Sequence, residues 1–374
     1  MMKTIESVCT YCGVGCDIAA EVEGNEIKKI YAKPEGVVSQ GKLCIKGKYG
    51  YDYLYHPSRI GGAYVSKSFV ANHPSLFDGV ALSEFDASFY QIPYEDAYRA
   101  VAMKLRSIIE EKGSDAVACI GGARTSCESG YLFQKFARQV LKSPHVDNCA
   151  RVCHSPSLKG MRATIGEGAA TNPFDDIYET ENLVVIGSNT TEAHPIVANR
   201  ILDVVKKGVK LSIIDVREIP LSKFAHNHLS IPYETNLMIF NMIARVILEN
   251  GWENKEFIKQ RCKGFEEYKD AILNDEFADP DILAHVRGYE ELPQKIKELA
   301  YDIAHKKTLL LWGLGVTEHL DGSYAVMALT HLALLTGNIG KRGAGLMPLR
   351  GQNNVQGTCD MGMLPYYLPD YQKP

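Results

Sequence analysis

The sequence predicts an α/β protein, in which a small β-rich segment precedes doubly wound α/β domains. Three observations predict it. Four of the ten cysteines fall within the first 44 residues, which sets that segment apart. Beyond position 94, short apolar runs alternate repeatedly with segments of helical period. Several of those runs end in glycine- or aspartate-bearing loops, as the strands of open α/β sheets do.

Residues 17–32 (DIAAEVEGNEIKKIYA) alternate imperfectly around Gly24-Asn25, two residues that tolerate positive φ, so a β-hairpin is expected there. Residues 61–90 read as a long irregular stretch without an assignable element. From Tyr94 the pattern turns helical, with Ala97, Val101, Leu105 and Ile108 on one face and an end near Gly113. A strand is expected at 116–120, and then strands at 183–186, 209–214 and 309–312, with helices at 196–206 and 324–335. In such a sheet ligands lie beyond the carboxyl ends of strands, which selects the loops Gly187-Ser188-Asn189, Asp215-Val216-Arg217 and Gly313-Leu314-Gly315. None is a nicotinamide fingerprint, because Glu318 stands where a third glycine is needed for close helix-to-strand packing. The sequence has no internal repeat and no low-complexity segment.

A chain of 374 residues exceeds what one core ordinarily serves. Three domains are expected: 1–60 around the cysteines, 61–148 resumed at 353–374 and incomplete, and 149–352. With 41 basic and 45 acidic residues the net charge is −4, which speaks against nucleic acid or an anionic membrane surface as partner. No apolar run reaches the length of a membrane span, and the first clustered cysteine at position 9 leaves no room for a removable leader. The expected compartment is the cytoplasm.

Ten cysteines at this density suit metal thiolates better than a disulfide scaffold. Cys9-x2-Cys12-x3-Cys16 wraps three sulfurs in one loop, and Cys44 closes the fourth corner after a 27-residue excursion. Four soft ligands suit iron–sulfur or zinc. Structural zinc sites usually show two separated Cys-x2-Cys knuckles, so three ligands in one run favour a [4Fe-4S] cluster. Lys46 follows two residues later; by itself it reads as a solvated surface lysine. In Asn148-Cys149-Ala150-Arg151-Val152-Cys153-His154-Ser155-Pro156-Ser157, adjacent side chains diverge, so a metal thiolate at Cys153 beside His154 is more natural than a protease dyad. Taken alone, both residues read as a buried thiol and a structural histidine. The polar run from Leu349 to Gly357 carries Arg350, whose guanidinium suits a small carboxylate.

Together these residues resemble the catalytic subunit of molybdenum- or tungsten-dependent formate dehydrogenases, within the molybdopterin oxidoreductase family. The resemblance also takes in Cys44-Ile45-Lys46-Gly47, His194 to Asn199, Leu334 to Asn338 and Arg350 to Gly362, and only 61–90 is poorly matched. It implies that Cys153 is a molybdenum or tungsten ligand, where many relatives carry selenocysteine. It likewise implies that His154 handles a proton or orients, that Arg350 clamps formate, and that Lys46 bridges pterin and cluster. Gly187, Asn189, Asp215, Arg217, Glu318 and Gln352 are then expected to touch a bis(molybdopterin guanine dinucleotide). Valine at position 216, where the family usually has proline, suggests a less rigid loop.

Family members continue well past position 374, which implies either a missing C-terminal domain or a separate chain completing the pterin site. An electron-accepting redox subunit is the expected partner, and formate and carbon dioxide the substrate pair. Two other readings remain open: a related enzyme subunit such as that of formylmethanofuran dehydrogenase, and a non-catalytic electron-transfer module.

Overall fold

The structure, a computed structural model, describes residues 1–373. These fall into two compact units, one of residues 1–48 and 150–355, the other of 49–149 and 356–374. The expected limits near 148 and 352 lie beside two of these boundaries, while a separate limit at 60 stays a proposal. Pro374, the last residue of the expected resumed segment, lies outside the described residues.

The first unit begins with an antiparallel sheet, β1 (Met2–Val8), β2 (Asp17–Glu23) and β3 (Glu26–Ala32), in that spatial order. The expected hairpin is β2–β3, turning at Gly24 with φ +59°. Ile18, Ala19 and Ala20 of β2 are buried. β1 has no sequence signal, because its apolar residues recur at positions 2, 5 and 8 rather than alternately, and the whole strand is exposed.

In the second unit, residues 61–90 are ordered after all. β4 (Ala63–Ser66), β5 (Ser83–Glu84) and β6 (Phe89–Ile92) form an antiparallel sheet in the order β4-β6-β5. A short helix, Lys67–Asn72, starts from Ser66, whose hydroxyl accepts the Phe69 N–H at 3.1 Å. Strands of two to four residues are too short to show a period, which is why the sequence gives no sign of them. Helix α1 (Tyr94–Lys112) ends at Gly113, whose φ of +85° no ordinary residue adopts cheaply. Of the expected inner face, Ala97, Leu105 and Ile108 are half-buried, and the face is turned slightly from the expected one at its middle. Ala100 is buried while Val101 is 58% exposed, because only a small cluster of Phe77, Ile92 and Ala100 lies beneath it. The strand expected at 116–120 begins later, as β7 (Cys119–Gly121), since residues 114–116 take a 3-10 turn; it pairs in parallel with β8 (Val146–Asn148). Arg138 ties down the last segment of this unit by donating to the Gly362 and Tyr367 carbonyls at 2.8 and 3.2 Å.

The body of the first unit is a five-stranded parallel sheet of β9 (Asn182–Ile186), β10 (Lys210–Asp215), β11 (Asn227–Ser230), β12 (Thr308–Trp312) and β13 (Gly345–Pro348). Its order is β11-β10-β9-β12-β13. This is the doubly wound arrangement, and its order reverses between β9 and β12, the switch point beyond whose carboxyl ends such sheets bind ligands. Helices α2 (Ser155–Ile165), α3 (Pro195–Val205), α4 (Asn236–Glu249), α5 (Leu292–His305) and α6 (Gly322–Thr336) complete the layers. Every residue of β9 and β12 is buried, so these strands read as unbroken apolar runs rather than alternations. β11 and β13 escape the sequence reading, the former for its polar Asn-His start and the latter for its glycine and proline ends.

Candidate functional site

The cysteine loop belongs to the first unit. Cys9 and Cys16 are buried, and the Cys9 N–H donates to the Cys16 carbonyl at 2.9 Å, closing the loop on itself. Gly47 is buried against it, since a Cβ there would stand 3.2 Å from Cys9 Sγ. Burial pushes the Cys9 thiol up, opposed by a hydrogen bond from the Tyr11 backbone; nearby Cys12 and Cys44 raise it and Lys46 lowers it. Burial pushes Cys16 up to about 12, with Cys9, Cys12 and Cys44 adding to the effect. Cys16 thus feels the other three thiols and Cys9 two of them, and crowded thiols become thiolates when cationic iron or zinc draws their protons off. The donor set fits an iron–sulfur cluster. The ten cysteines form no disulfide among the described residues. Among the same residues, no group of three His, Cys, Asp or Glu side chains converges on a single ion position.

Lys46 leads from this loop to the sheet. Its Nζ donates to the Glu192 carbonyl, in the short helix Thr190–Ala193 that follows β9. His194 comes next, buried, and its Nε2–H donates to the Arg350 carbonyl at 2.7 Å. Burial holds the His194 ring below the usual histidine range, against that hydrogen bond and in line with the Lys46 charge. Arg350 follows β13, and its Nη2 donates to the Gly168 carbonyl at 2.8 Å. The preceding carbonyl, of Leu349, lies 2.9 Å from His154 Nε2. A carbonyl only accepts, so this nitrogen carries the proton and His154 Nδ1 accepts from Ser157 Oγ at 2.9 Å. Ser157 in turn accepts from Trp312 Nε1 at 2.9 Å. Burial first, then the Arg350 charge, holds the His154 pKa down at about 3, so the ring is neutral. Cys153 is 4% exposed beside it, and Thr317 Oγ1 donates to its carbonyl at 2.6 Å. One hydrogen-bonded frame therefore joins Lys46, His194, Arg350, His154 and the backbone of Cys153.

The remaining expected residues lie at or beyond strand ends: Gly187 and Asn189 after β9, Asp215 closing β10 and Arg217 after it, Glu318 after β12 and Gln352 after β13. Gly187, at φ +51°, and Gly315 press backbone on backbone at the switch point, where a Cβ on Gly315 would stand 2.7 Å from the Gly187 Cα. The Gly315 N–H donates to the Gly187 carbonyl at 3.0 Å. The Arg217 N–H donates to Asp215 Oδ1 at 3.2 Å, so this loop is tied by its aspartate although it lacks proline. Burial raises the Asp215 carboxyl above its ordinary value, opposed by the Arg217 backbone and charge. His194 Nδ1, His319 Nε2 and Asn353 Oδ1 are buried there without partners. Such orphaned polar atoms at the strand ends fit a large polar cofactor that would satisfy them. His194, His319, Thr317, Ser157 and Trp312 had no role on sequence grounds. Their signal was faint, since a buried serine or threonine reads as core until its partner is known.

The doubly wound fold with its switch point and the four-thiol loop define a class of protein suited to a nucleotide-like cofactor at its strand ends and a metal cluster on its cysteines. Residues 86–372 match the family model described as "Molybdopterin oxidoreductase", and residues 2–56 match "Molybdopterin oxidoreductase Fe4S4 domain". The chain belongs to the molybdopterin oxidoreductase family, whose two matched domains go with a 4Fe-4S cluster and a molybdopterin cofactor. Among curated proteins it is 36% identical to "Formate dehydrogenase H" of Escherichia coli, over 99% of this chain and 50% of that protein. It is 35% identical to the "F420-dependent formate dehydrogenase subunit alpha" of Methanocaldococcus jannaschii, over 99% of this chain and 51% of that one. The chain thus spans about half the length of the curated relatives it matches. A solved structure, "Acetylene Hydratase from Pelobacter acetylenicus", superposes with a TM-score of 0.72 at 21% identity, over 91% of this chain and 44% of that chain, which shows a shared fold. Among the described residues no helix is long and apolar enough to cross a membrane.

Proposed function

We propose that the chain interconverts formate and carbon dioxide at a molybdenum or tungsten centre held by bis(molybdopterin guanine dinucleotide), with electrons leaving through a [4Fe-4S] cluster on Cys9, Cys12, Cys16 and Cys44. The observation that carries this reading is the frame in which Leu349 accepts from His154 while the neighbouring Arg350 is pinned by His194 and Gly168. Its Arg350 carries a guanidinium whose charge reaches His154, the residue after Cys153, in a chain whose relatives at 35 and 36% identity are named formate dehydrogenases. When bound, the metal with its pterins supplies a two-electron acceptor, and the cluster a one-electron outlet.

The chain's own residues divide the remaining work. Arg350 neutralises and orients the formate carboxylate; a guanidinium has five donors, so anchoring on Gly168 is compatible with a bidentate clamp. Cys153 offers the metal a soft thiolate, with its backbone fixed by Thr317. His154 has both ring nitrogens engaged and stays neutral, which supports an orienting role over proton transfer. Lys46 places an ammonium between cluster loop and pterin. Gly187, Asn189, Asp215, Arg217, Glu318 and Gln352 line the pterin dinucleotide, and an electron-accepting subunit takes the electrons onward.

The test uses metal-loaded, anaerobically purified enzyme with formate and a viologen dye. Cys153→Ala is expected to abolish dye reduction, by about 1,000-fold or more, while the iron–sulfur absorption persists. Absence of formate-dependent reduction in the parent enzyme removes the substrate assignment. Metal analysis showing iron without molybdenum, tungsten or pterin favours an electron-transfer module instead, and zinc in the cysteine loop ends the redox reading altogether.

A further inference from the structure

A cavity of about 730 Å³ opens in the first unit between the C-terminal turn of α2, the helices Lys255–Arg261 and Phe265–Asn274, and one stripe of α6. Its size falls in the range of small-molecule sites. It lies away from the chemistry, since α2 starts beside Cys153 and His154 and reaches the cavity only at Ala163, Thr164 and Ile165.

The walls are unlike an ordinary packing gap. From Ala325 onward α6 is otherwise buried, yet Met327, His331 and Leu334, at the i, i+4 and i+7 positions of one stripe, are only half-buried and face the cavity. The Tyr268 hydroxyl is buried with no hydrogen-bond partner, on a ring that meets His331 edge to face at 4.8 Å between centroids. An orphaned buried hydroxyl costs about 1–3 kcal/mol unless something satisfies it. Burial lowers the His331 pKa, so its imidazole is a neutral hydrogen-bonding group at physiological pH. At the mouth stand Arg261 and Lys263, both exposed, and among the described residues neither has a carboxylate within ion-pair distance. They flank Gly264, from which the helix Phe265–Asn274 starts, with the exposed Glu266 and Glu267 in its first turn.

We infer that this cavity is a binding site for an organic anion with a flat apolar body, with the body between Phe265 and the Met327–Leu334 stripe, the anionic head at Arg261 and Lys263, and a polar edge on Tyr268 and His331. Arg261 and Lys263, which line the cavity while Glu266 and Glu267 do not, select negative charge, and Phe265, Met327 and Leu334 reject small hydrated ions. A flat body suits a slot walled by an aromatic ring and a helix. The site is separate from the redox centre and stands whether or not formate is the substrate.

The test is fluorescence titration of the full chain with two probes, anilinonaphthalene sulfonate and its uncharged counterpart phenylnaphthylamine. Saturable binding of the sulfonate at one site is expected, about tenfold or more tighter than the neutral probe. Reversing the mouth charges (Arg261→Glu with Lys263→Glu) should weaken the sulfonate by about tenfold and leave the neutral probe unchanged. Both positions are exposed, so the fold survives. Ala163→Phe, on the exposed rim, should weaken both probes by obstruction. Tyr268→Phe removes only the orphaned hydroxyl and should raise thermal stability while weakening the sulfonate severalfold. Equal affinity for the two probes, or sulfonate binding unchanged by both charge reversal and Ala163→Phe, overturns the assignment.

Discussion

The two compact units use similar strand-forming residues to very different ends. In the first, the whole of β9 and β12 is buried and the core joins strands and helices into one large cluster. In the second, buried apolar residues are few and scattered, Phe77, Ile92 and Ala100 beneath α1 and Val117, Ala137 and Val146 around β7 and β8, and Ile120, in the middle of β7, is 79% exposed. A parallel strand buried on both faces is over-determined by its neighbours, whereas β7 has one partner strand and solvent. Stability in this chain is therefore concentrated around the parallel sheet, and so are the residues of the candidate site.

Substitutions can break or sharpen that contrast. The largest effect is expected from Trp312→Ala, which empties the most voluminous fully buried side chain and strands Ser157. It should cost about 3–5 kcal/mol in urea denaturation of the full chain. A loss below about 1 kcal/mol would mean the sheet is far less tightly packed than its burial indicates. Acid comes next. The His154 pKa is about 3 in the folded chain against about 6.5 when unfolded, so the unfolded chain binds the extra proton between those values. Stability should then fall as pH drops from about 6.5 toward 3, by on the order of 3 kcal/mol from this residue. His154→Gln should be less stable at neutral pH yet lose less on acidification, and parallel pH curves for the two proteins would refute the buried neutral ring. Gly315→Ala forces a methyl against the Gly187 backbone and should lower the melting temperature, corresponding to about 1–3 kcal/mol. An unchanged melting temperature would show that the switch point yields. The smallest effect is expected in the second unit: Ile120→Ser should stay within about 0.5 kcal/mol by calorimetry, and a larger loss would reveal that this face is covered.

The same contrast governs what could be read from the sequence. The strands at 182–186, 210–215 and 308–312 and the helix Pro195–Val205 announce themselves through long apolar runs or full helical turns, and they are found within one or two residues. The cysteine loop is legible because thiolate spacing is chemistry rather than packing, and residues 2–56 match a 4Fe-4S domain. The strands of the second unit, β4 to β6, were not legible, since two to four residues carry no period and their pairing is decided by contacts distant in sequence. At the site, Cys153, His154 and Arg350 drew attention through their motifs. The connections among them did not, because Leu349 takes part through its carbonyl alone, and a backbone acceptor leaves no mark on residue choice. Ser157 and Trp312 illustrate the same point from the side-chain end, where the tautomer of a histidine depends on partners 3 and 158 positions away.

Gly13 sits between two of the clustered cysteines, and its N–H donates to the Gly351 carbonyl at 3.1 Å, so close that a methyl in its place would overlap the Arg350 carbonyl. Disorder in the cysteine loop is therefore not confined to it: once that loop frays, the backbone at Arg350 and Gly351 loses its abutment, so the geometry of two distant stretches of sequence stands or falls together.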